Sequence, residues 1–151
     1  MLHLVDVDGD NWMADLQVSD AQKEYVLDSV SILARAYAYR KEGSRAFFFY
    51  EDDTPVGMGL YCDYPELESY ELNQFFIDER YQGQGYGKAA TKLVLDEMRK
   101  EGKYHRVVLW YMEGNCAAKT LFEHIGFFET GSLQDEIGMA MDLSLINCKM
   151  S

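Results

Sequence analysis

The feature that most constrains the fold is a glycine-rich loop that leads directly into an amphipathic helix. Gly83, Gly85 and Gly87 alternate within the stretch QGQGYGK, and apolar residues at helical spacing follow over about 88–101. Glycines are costly inside a helix, and they serve where the backbone needs positive φ or where a ligand must approach it closely. We expect all three to serve in this way. With the predicted strand that ends at Asp78, they indicate an anion site made of backbone N–H groups at a helix N-terminus.

Two common phosphate-loop patterns do not account for this stretch. A P-loop requires glycine where Gln82 stands and a hydroxyl residue where Ala89 stands. GYGKAA at 85–90 satisfies the short dinucleotide pattern G-x-G-x-x-A, but the residues at 79–84 separate it from the strand. His105 stands about where that fold places an acid. The loop is therefore expected to hold a different phosphate ligand.

Apolar periodicity and turn residues predict an α/β order of elements along the chain. Helices are predicted at 8–17 with Asp10 as N-cap, at 19–39 with Ser19 or Asp20 as N-cap, at 88–101 ending at Gly102, and at 115–125 ending at Gly126. A β-hairpin is predicted over 45–64, and strands over 70–78, 105–112 and 137–145. Because a helix joins them, strands 70–78 and 105–112 are expected to be parallel. The order predicts a mixed sheet.

Charge and length restrict the class of partner. The chain has 151 residues, which fit one domain over 1–151, and a formal net charge of −12 at pH 7. This charge disfavours nucleic acid, whose binding needs a basic surface, and it would steer a cationic small molecule toward the protein. The first residues lack the pattern of a signal peptide, and no apolar run reaches the ~18 residues of a membrane span. We therefore expect a cytoplasmic protein without a membrane partner.

The cysteines and histidines do not predict a metal site. Cys62, Cys116 and Cys148 are too few and too irregularly spaced for a disulfide framework or a zinc site, so free thiols are expected. The three histidines show no ligand spacing. Methionines such as Met98, Met139 and Met141 are expected to fill the core.

Two linked motifs resemble the GNAT superfamily of N-acetyltransferases. Gln82-x-x-Gly85-x-Gly87, after a strand that ends in FFID, resembles the acyl-coenzyme A loop of that superfamily. NCAAKTLFEHIGFFETG resembles its segment N-x-x-A-x-x-L-Y-x-x-x-G-F. The matching residues of this segment are Asn115, Ala118, Leu121, Gly126 and Phe127. Within the superfamily, DNW, Gln22 and LARAYAY look most like bacterial spermidine/spermine acetyltransferase relatives.

The resemblance implies a single-domain GNAT-like fold, in which a mixed central sheet with splayed parallel strands is flanked by helices. Acetyl-CoA would be the cosubstrate. Its pyrophosphate would bind backbone N–H groups from Gly83 to Lys88, and its pantetheine arm would pair with the backbone at 75–77 and bind Asn115. The cofactor-binding residues implied are Phe75, Phe76, Ile77, Gln82, Gly83, Gln84, Gly85, Tyr86, Gly87, Lys88, Asn115, Ala118 and Phe122.

The proton donor of many relatives is missing from this chain. In those relatives a tyrosine of the second motif protonates the departing thiolate, but Phe122 stands at that position. Water or another tyrosine could replace it, and Tyr111 is the leading candidate for the acid. Glu71 is the leading candidate for the base that deprotonates the amine, acting through water. A non-catalytic acyl-CoA binding or sensing module remains the alternative.

The acceptor implied by the resemblance is a primary amine of a small cationic molecule such as a polyamine. Polyamine relatives often carry an acid just before the two strand aromatics, whereas this chain has Asn73 and Gln74 there. Other residues could therefore bind the ammonium. The acceptor-binding candidates are Glu24, Tyr37, Tyr61 and Asp63, with Tyr64 and Glu66 as further possibilities. Whether the chain forms a homodimer is left open.

Overall fold

A computed structural model describes residues 1–144 of the chain. The strands in this range are β1 Leu2–Asp6, β2 Arg45–Glu51, β3 Thr54–Tyr64, β4 Ser69–Ile77, β5 Arg106–Met112, β6 Phe128–Leu133 and β7 Glu136–Asp142. The helices are α1 Ser29–Ala38, α2 Tyr86–Glu101 and α3 Cys116–Ile125, with 3-10 turns at Arg40–Glu42, Pro65–Leu67 and Glu79–Tyr81. All seven strands form one sheet in the order β1-β2-β3-β4-β5-β7-β6.

The predicted mixed sheet with one parallel pair is confirmed. β4 and β5 are parallel because α2 carries the chain back across the sheet, and every other neighbouring pair is antiparallel. Within residues 1–144, the parallel pairing is limited to Tyr70 with Val107 and Glu71 with Val108. Beyond Glu71 the two strands separate, and the β5-facing edge of β4 over 73–77 lies along a gap in the sheet.

Both faces of the sheet are covered by apolar clusters. On one face, Val94 and Leu95 of α2 and Ile125 of α3 pack on the strands. The other face carries Ile32 of α1 and Leu16 of the N-terminal segment. Met98, Met139 and Met141 are buried in the first cluster, as predicted. The gap between β4 and β5 therefore opens between two well-packed layers.

The N-terminal helix predicted over 8–17 is wrong. Turns occupy this stretch, because Asp8 Oδ1 accepts hydrogen bonds from the backbone N–H groups of Asp10 and Asn11 at 2.8 and 3.0 Å. The side chain of Asn11 in turn donates to the carbonyl of Asp6 at 2.9 Å. Such local side-chain bonds compete with helical ones.

The helix predicted over 19–39 begins only at Ser29. Asp28, not Ser19 or Asp20, is its N-cap, and its side chain accepts a hydrogen bond from Ser31 N at 2.8 Å. The preceding segment 7–27 lacks regular secondary structure. Tertiary bonds hold it against the sheet, as the 3.1 Å bond from Leu27 N to Gln74 Oε1 illustrates. The first half of the predicted helix is thus part of the wall around the gap.

The sequence analysis also missed β1 and β6. β1 pairs with β2 at one edge of the sheet, and β6 pairs with β7 at the other. Every residue of β6 is exposed, so the strand has no alternating pattern to detect. The strand predicted over 137–145 ends at Asp142, and position 145 lies outside the described residues, as does Cys148.

The described cysteines, Cys62 and Cys116, are free thiols as predicted. Among residues 1–144 no cluster of three His, Cys, Asp or Glu side chains is placed to hold a metal ion. None of the helices in that range is both long enough and apolar enough to cross a membrane.

Candidate active site

The glycine loop is open to solvent at the start of α2. Gly83 and Gly85 have φ of 79° and 82°, and a Cβ added to either would meet no atom within 4 Å. Gly85 is the N-cap of α2, and no side chain among the described residues caps that helix. The N–H groups of the first turn are therefore directed toward open space, which suits an anionic ligand. This cradle fits the pyrophosphate of acetyl-CoA.

Gly87 differs from the other two glycines. It lies in the first turn of α2 without positive φ, so the expectation of positive φ is wrong for it. A Cβ added there would lie 3.6 Å from Leu121 Cδ2 of α3. The absence of a side chain at Gly87 thus allows α2 and α3 to approach closely beside the loop.

The base of the loop is held by buried hydrogen bonds. Gln82 Nε2 donates to the carbonyl of Ile77 at 3.0 Å and to Gln22 Oε1 at 2.8 Å. The fully buried Asp78 accepts from Arg80 Nη2 and Gln17 N, both at 2.8 Å. Burial raises the pKa of Asp78, but these donors outweigh it and hold the pKa below 3.8. The loop is fixed before any ligand binds.

A cavity of about 260 Å³ runs from the loop along the gap. It is lined by Gln22, Val26, Phe75, Phe76, Ile77, Tyr81, Gln82, Gly83, Gly85, Tyr86, Gly87, Asn115, Ala117, Ala118, Leu121 and Phe122. Most predicted cofactor residues lie here. Gln84 and Lys88 are exposed and do not line it, so only their backbones are placed to contribute to the loop.

A second cavity, of about 610 Å³, continues from the first on the side of α1. The residues that line both are Val26, Phe75, Asn115, Ala118 and Phe122. The second cavity is also lined by three carboxylates, Glu24, Glu71 and Glu136, and by the aromatic residues Tyr25, Tyr64, Trp110 and Tyr111. The two cavities form one cleft, with an anion cradle at one end and an acidic, aromatic region at the other. We call this region the acceptor cavity.

The candidate base and the candidate acid both line the acceptor cavity. Glu71 belongs to the last pair of β4 and β5 before the strands separate. Tyr111 lies on β5 beyond that point. Burial, followed by the charges of Glu129 and Glu123 and by Cys116, raises the pKa of Tyr111. Its phenol is therefore protonated at neutral pH and can donate a proton.

Phe122 lies where the two cavities meet. It is 6% exposed, and its ring centroid is 6.2 Å from that of Phe75 and 5.4 Å from that of Phe127. On the same helix, Asn115 Oδ1 accepts from Ala118 N at 3.3 Å and caps α3. This use of Oδ1 leaves the NH₂ group of Asn115 as a donor on a residue of the cleft. The motif position usually held by tyrosine thus faces the expected reaction centre.

Three of the four acceptor-binding candidates do not line the cleft. Tyr61 is buried on the face covered by α2, where its hydroxyl donates to Glu101 Oε2 at 2.9 Å, and burial raises its pKa to about 12. Asp63 pairs with Lys103 Nζ at 2.9 Å. Tyr37 is exposed on α1, with the Arg40 guanidinium 4.1 Å from its ring centroid. Of the four, Glu24 alone lines the acceptor cavity.

Other lining residues were missed by sequence reasoning. Trp110 read as a core residue of a buried strand, yet it lines the acceptor cavity with its ring centroid 5.4 Å from that of Tyr64. A Cβ at Gly138 would lie 3.2 Å from Trp110 Nε1, so this glycine makes room for the indole. Tyr25 and Glu136 lie outside both motifs. The alternation of side chains along β5 was the available indication for Trp110.

The positions at which polyamine relatives often carry an acid have another role here. Asn73 Oδ1 accepts from Arg35 Nη1 of α1 at 3.0 Å, and Gln74 accepts from Leu27 N. These bonds fix α1 and the segment before it against β4. The acidic groups of the cavity instead come from other elements.

Comparison with known proteins agrees with this geometry. The model of the acetyltransferase (GNAT) family matches residues 11–127. Spermine/spermidine N(1)-acetyltransferase of Bacillus subtilis (strain 168) is 34% identical over 128 residues, which cover 79% of this chain and 81% of that protein. A solved structure of spermidine N-acetyltransferase from Vibrio cholerae, in complex with CoA and spermine, is similar with a TM-score of 0.76. It is 19% identical, and the match covers 95% of this chain and 96% of that one.

An acetyltransferase from Thermus thermophilus is similar in the same way, with a TM-score of 0.74, 18% identity and coverage of 93% and 96%. At these identities the two structures show the shared fold, whereas the family is shown by the extent of the family-model match and by the Bacillus relative. This chain belongs to the GNAT family of acetyltransferases.

Proposed function

We propose that this protein transfers the acetyl group of acetyl-CoA to a primary amine of a polyamine of the spermidine and spermine class. The observation that carries the proposal is the continuous cleft, which joins the anion cradle to a cavity lined by Glu24, Glu71 and Glu136. Three carboxylates suit an acceptor with more than one ammonium group. The similarity to the Bacillus spermine/spermidine acetyltransferase supports the same acceptor class.

The chain's own groups are suited to hold the donor. The open backbone of Gly83 and Gly85, together with the uncapped start of α2, would bind the pyrophosphate. The edge of β4 at 75–77 would pair with the pantetheine arm as an added strand, and Asn115 would donate to it. When bound, acetyl-CoA supplies an acetyl group that is activated as a thioester.

The acceptor cavity is suited to draw in and orient a cation. The net charge of −12 attracts it, and the aromatic faces of Tyr25, Tyr64 and Trp110 can stack on an ammonium group. Glu71 accepts a proton from the amine through water, because a charged ammonium has no lone pair for attack. Tyr111 then protonates the departing thiolate, which Phe122 cannot do.

Reciprocal changes at Tyr111 and Phe122 test the proton donor. Phe122→Tyr adds a hydroxyl at the junction of the cavities and is expected to raise kcat with little change in the KM for acetyl-CoA. Tyr111→Phe is expected to lower kcat by about tenfold, below the usual range of about 10² to 10⁴ for an acid, because a thiolate leaves readily. Steady-state kinetics at saturating acetyl-CoA measures both effects.

The double variant provides the internal check. If Phe122→Tyr restores the turnover lost in Tyr111→Phe, both positions serve the same proton transfer. Tyr104→Phe, which removes a hydroxyl outside both cavities, is the matched control and should behave as the parent. A Tyr111→Phe protein as active as the parent would remove Tyr111 from the mechanism.

Trp110→Ala tests the aromatic wall of the acceptor cavity. Loss of one cation–π contact, about 0.5 to 2 kcal/mol, is expected to raise the KM for spermidine about three- to thirtyfold while kcat changes little. Trp12→Ala is the matched control, because Trp12 is 49% exposed and lies outside the cleft. An unchanged KM in Trp110→Ala, or an equal rise in both variants, would contradict the assignment.

A panel of amines distinguishes an enzyme from the alternative, a non-catalytic acyl-CoA binding module. Release of free thiol from acetyl-CoA is followed with polyamines, monoamines, amino acids and short peptides. Turnover with spermidine or spermine above the rate with monoamines supports the proposal. Stabilisation by acetyl-CoA without turnover on any amine would establish the binding module instead.

We also propose that the chain acts as one domain in the cytoplasm, as a homodimer and without a nucleic-acid partner. The net charge of −12 supports the last point. The exposed strand β6 at the edge of the sheet offers backbone groups for pairing with a second copy. Light scattering on the purified protein measures the oligomeric state.

A further inference from the structure

A buried thiol lies next to the candidate base. Cys62 of β3 is 6% exposed, and its Sγ donates to Glu71 Oε1 at 3.4 Å. The two residues are direct partners in the antiparallel pairing of β3 with β4, so their side chains lie on the same face of the sheet. The backbone of both strands therefore fixes the contact.

The protonation state of Cys62 suits a hydrogen-bond donor. Burial, then the charge and hydrogen bond of Glu71 and the charges of Asp63 and Glu42, raise the pKa of Cys62 to about 12. A thiol that stays protonated is a poor nucleophile, so a covalent role is disfavoured. Its proton remains available to the carboxylate.

The contact matters because Glu71 is half-buried at the point where the sheet opens. A glutamate side chain rotates about several bonds, and a base must be held within hydrogen-bond reach of the proton it takes. With Oε1 bound by the thiol, Oε2 is the oxygen that can accept from water or the amine. The other titratable or charged groups that line this cavity are Lys23, Glu24, Tyr25, Arg35, Tyr64, Tyr111 and Glu136.

We propose that Cys62 is a positioning residue for acetyl transfer, whose thiol holds Glu71 Oε1 so that Oε2 is presented to the acceptor amine. The inference rests on the proposed function, because it gives Glu71 the task of deprotonating that amine. No group described on α1 or on the N-terminal segment donates to Glu71 within residues 1–144. Replacing the thiol should therefore leave this carboxylate without a fixed orientation.

Substitutions at Cys62 separate positioning from packing. Cys62→Ala and Cys62→Val both remove the donor, and valine also fills the volume, so it carries the test if the alanine variant fails to fold. Both are expected to lower kcat for spermidine about three- to tenfold, the value of one hydrogen bond, with an unchanged KM for acetyl-CoA. Cys62→Ser keeps a donor and should restore turnover to near the parent value.

The same substitutions in a Glu71→Gln background show whether Cys62 acts through Glu71. A positioning residue has no further effect once its base is gone, so Cys62→Val should leave the turnover of Glu71→Gln unchanged. A packing effect would lower turnover by the same factor in both backgrounds, and this result would overturn the proposal. Equal turnover of the parent and Cys62→Val would also overturn it.

A spectroscopic readout on the ligand-free protein keeps this test independent of the proposed function. The S–H stretching band of Cys62, assigned by its loss in Cys62→Ser, should lie at the lower frequency of a hydrogen-bonded thiol and move up in Glu71→Ala. A band that does not respond to Glu71→Ala would refute the contact. If the parent acetylates no amine but the band responds, the proposed function fails, the catalytic role of Cys62 fails with it, and only the bond stands.

Discussion

Gly85→Asp is expected to abolish the stabilisation of this protein by acetyl-CoA. The new carboxylate would stand in open space at the N-terminus of α2, where the pyrophosphate is expected to bind. Two charges about 4 Å apart repel by about 4 kcal/mol at an effective dielectric constant of about 20. Because each 1.4 kcal/mol is about tenfold in affinity, binding should weaken by roughly 100- to 1000-fold. Thermal melts with and without acetyl-CoA measure the loss.

Gly85→Asn is the matched control for this change. Asparagine has the same size and tolerates the same positive φ, but it carries no charge, so it should retain most of the ligand-induced shift. NADH and ATP are expected to give no comparable shift in the parent protein. A full acetyl-CoA shift in Gly85→Asp, or a shift with NADH in place of acetyl-CoA, would show that the loop binds another ligand.

Glu71→Gln is expected to lower kcat/KM for spermidine by about 10²- to 10³-fold, because it removes the base and keeps the shape of the side chain. The residual rate should rise in proportion to the fraction of free amine as the pH increases, since a primary amine of this kind has a pKa near 10.4. The parent should depend on pH less steeply over the neutral range. Initial rates from about pH 7 to pH 10 measure both.

Glu66→Gln is the control for this prediction. Glu66 is an exposed acid of the Pro65–Leu67 turn and does not line the acceptor cavity, so turnover should not change. The melting temperature of Glu71→Gln should remain close to that of the parent. If Glu71→Gln acetylates spermidine at the parent rate and with the parent's pH dependence, the proton is taken by another group.

The cofactor end of the cleft could be predicted from the sequence because its determinants are local. The glycine loop and the helix that begins at Asn115 are continuous stretches, whose backbone geometry follows from their own residues. Gly87 is the exception, because its role depends on Leu121 in another helix. Contacts between elements of this kind are not encoded in the spacing of one motif.

The acceptor end could be predicted only in part, because it depends on which face each strand residue occupies. Tyr61 and Asp63 lie on alternate positions of β3, and Tyr61 packs on the face covered by α2. Cys62 and Glu71 share the opposite face. The composition of the strand does not specify its register, so the acidic and aromatic candidates could not be sorted by face.

The N-terminal segment shows why the wall of the cleft was predicted as a helix. Residues 19–39 have loosely helical spacing, but Leu27 and Gln22 bind Gln74 and Gln82, which are distant in sequence. These tertiary bonds are formed at the expense of helical ones, and Asp28 starts the helix later. Propensity is a weak guide where long-range hydrogen bonds satisfy the backbone.

The most direct test of the account is the mass of the product formed from spermidine, acetyl-CoA and the purified protein. The account predicts a spermidine heavier by one acetyl group, together with one free thiol for each molecule formed. Formation of this product should be lost in Gly85→Asp and slowed in Glu71→Gln. Unchanged spermidine after prolonged incubation, under conditions in which acetyl-CoA raises the melting temperature, would contradict the account.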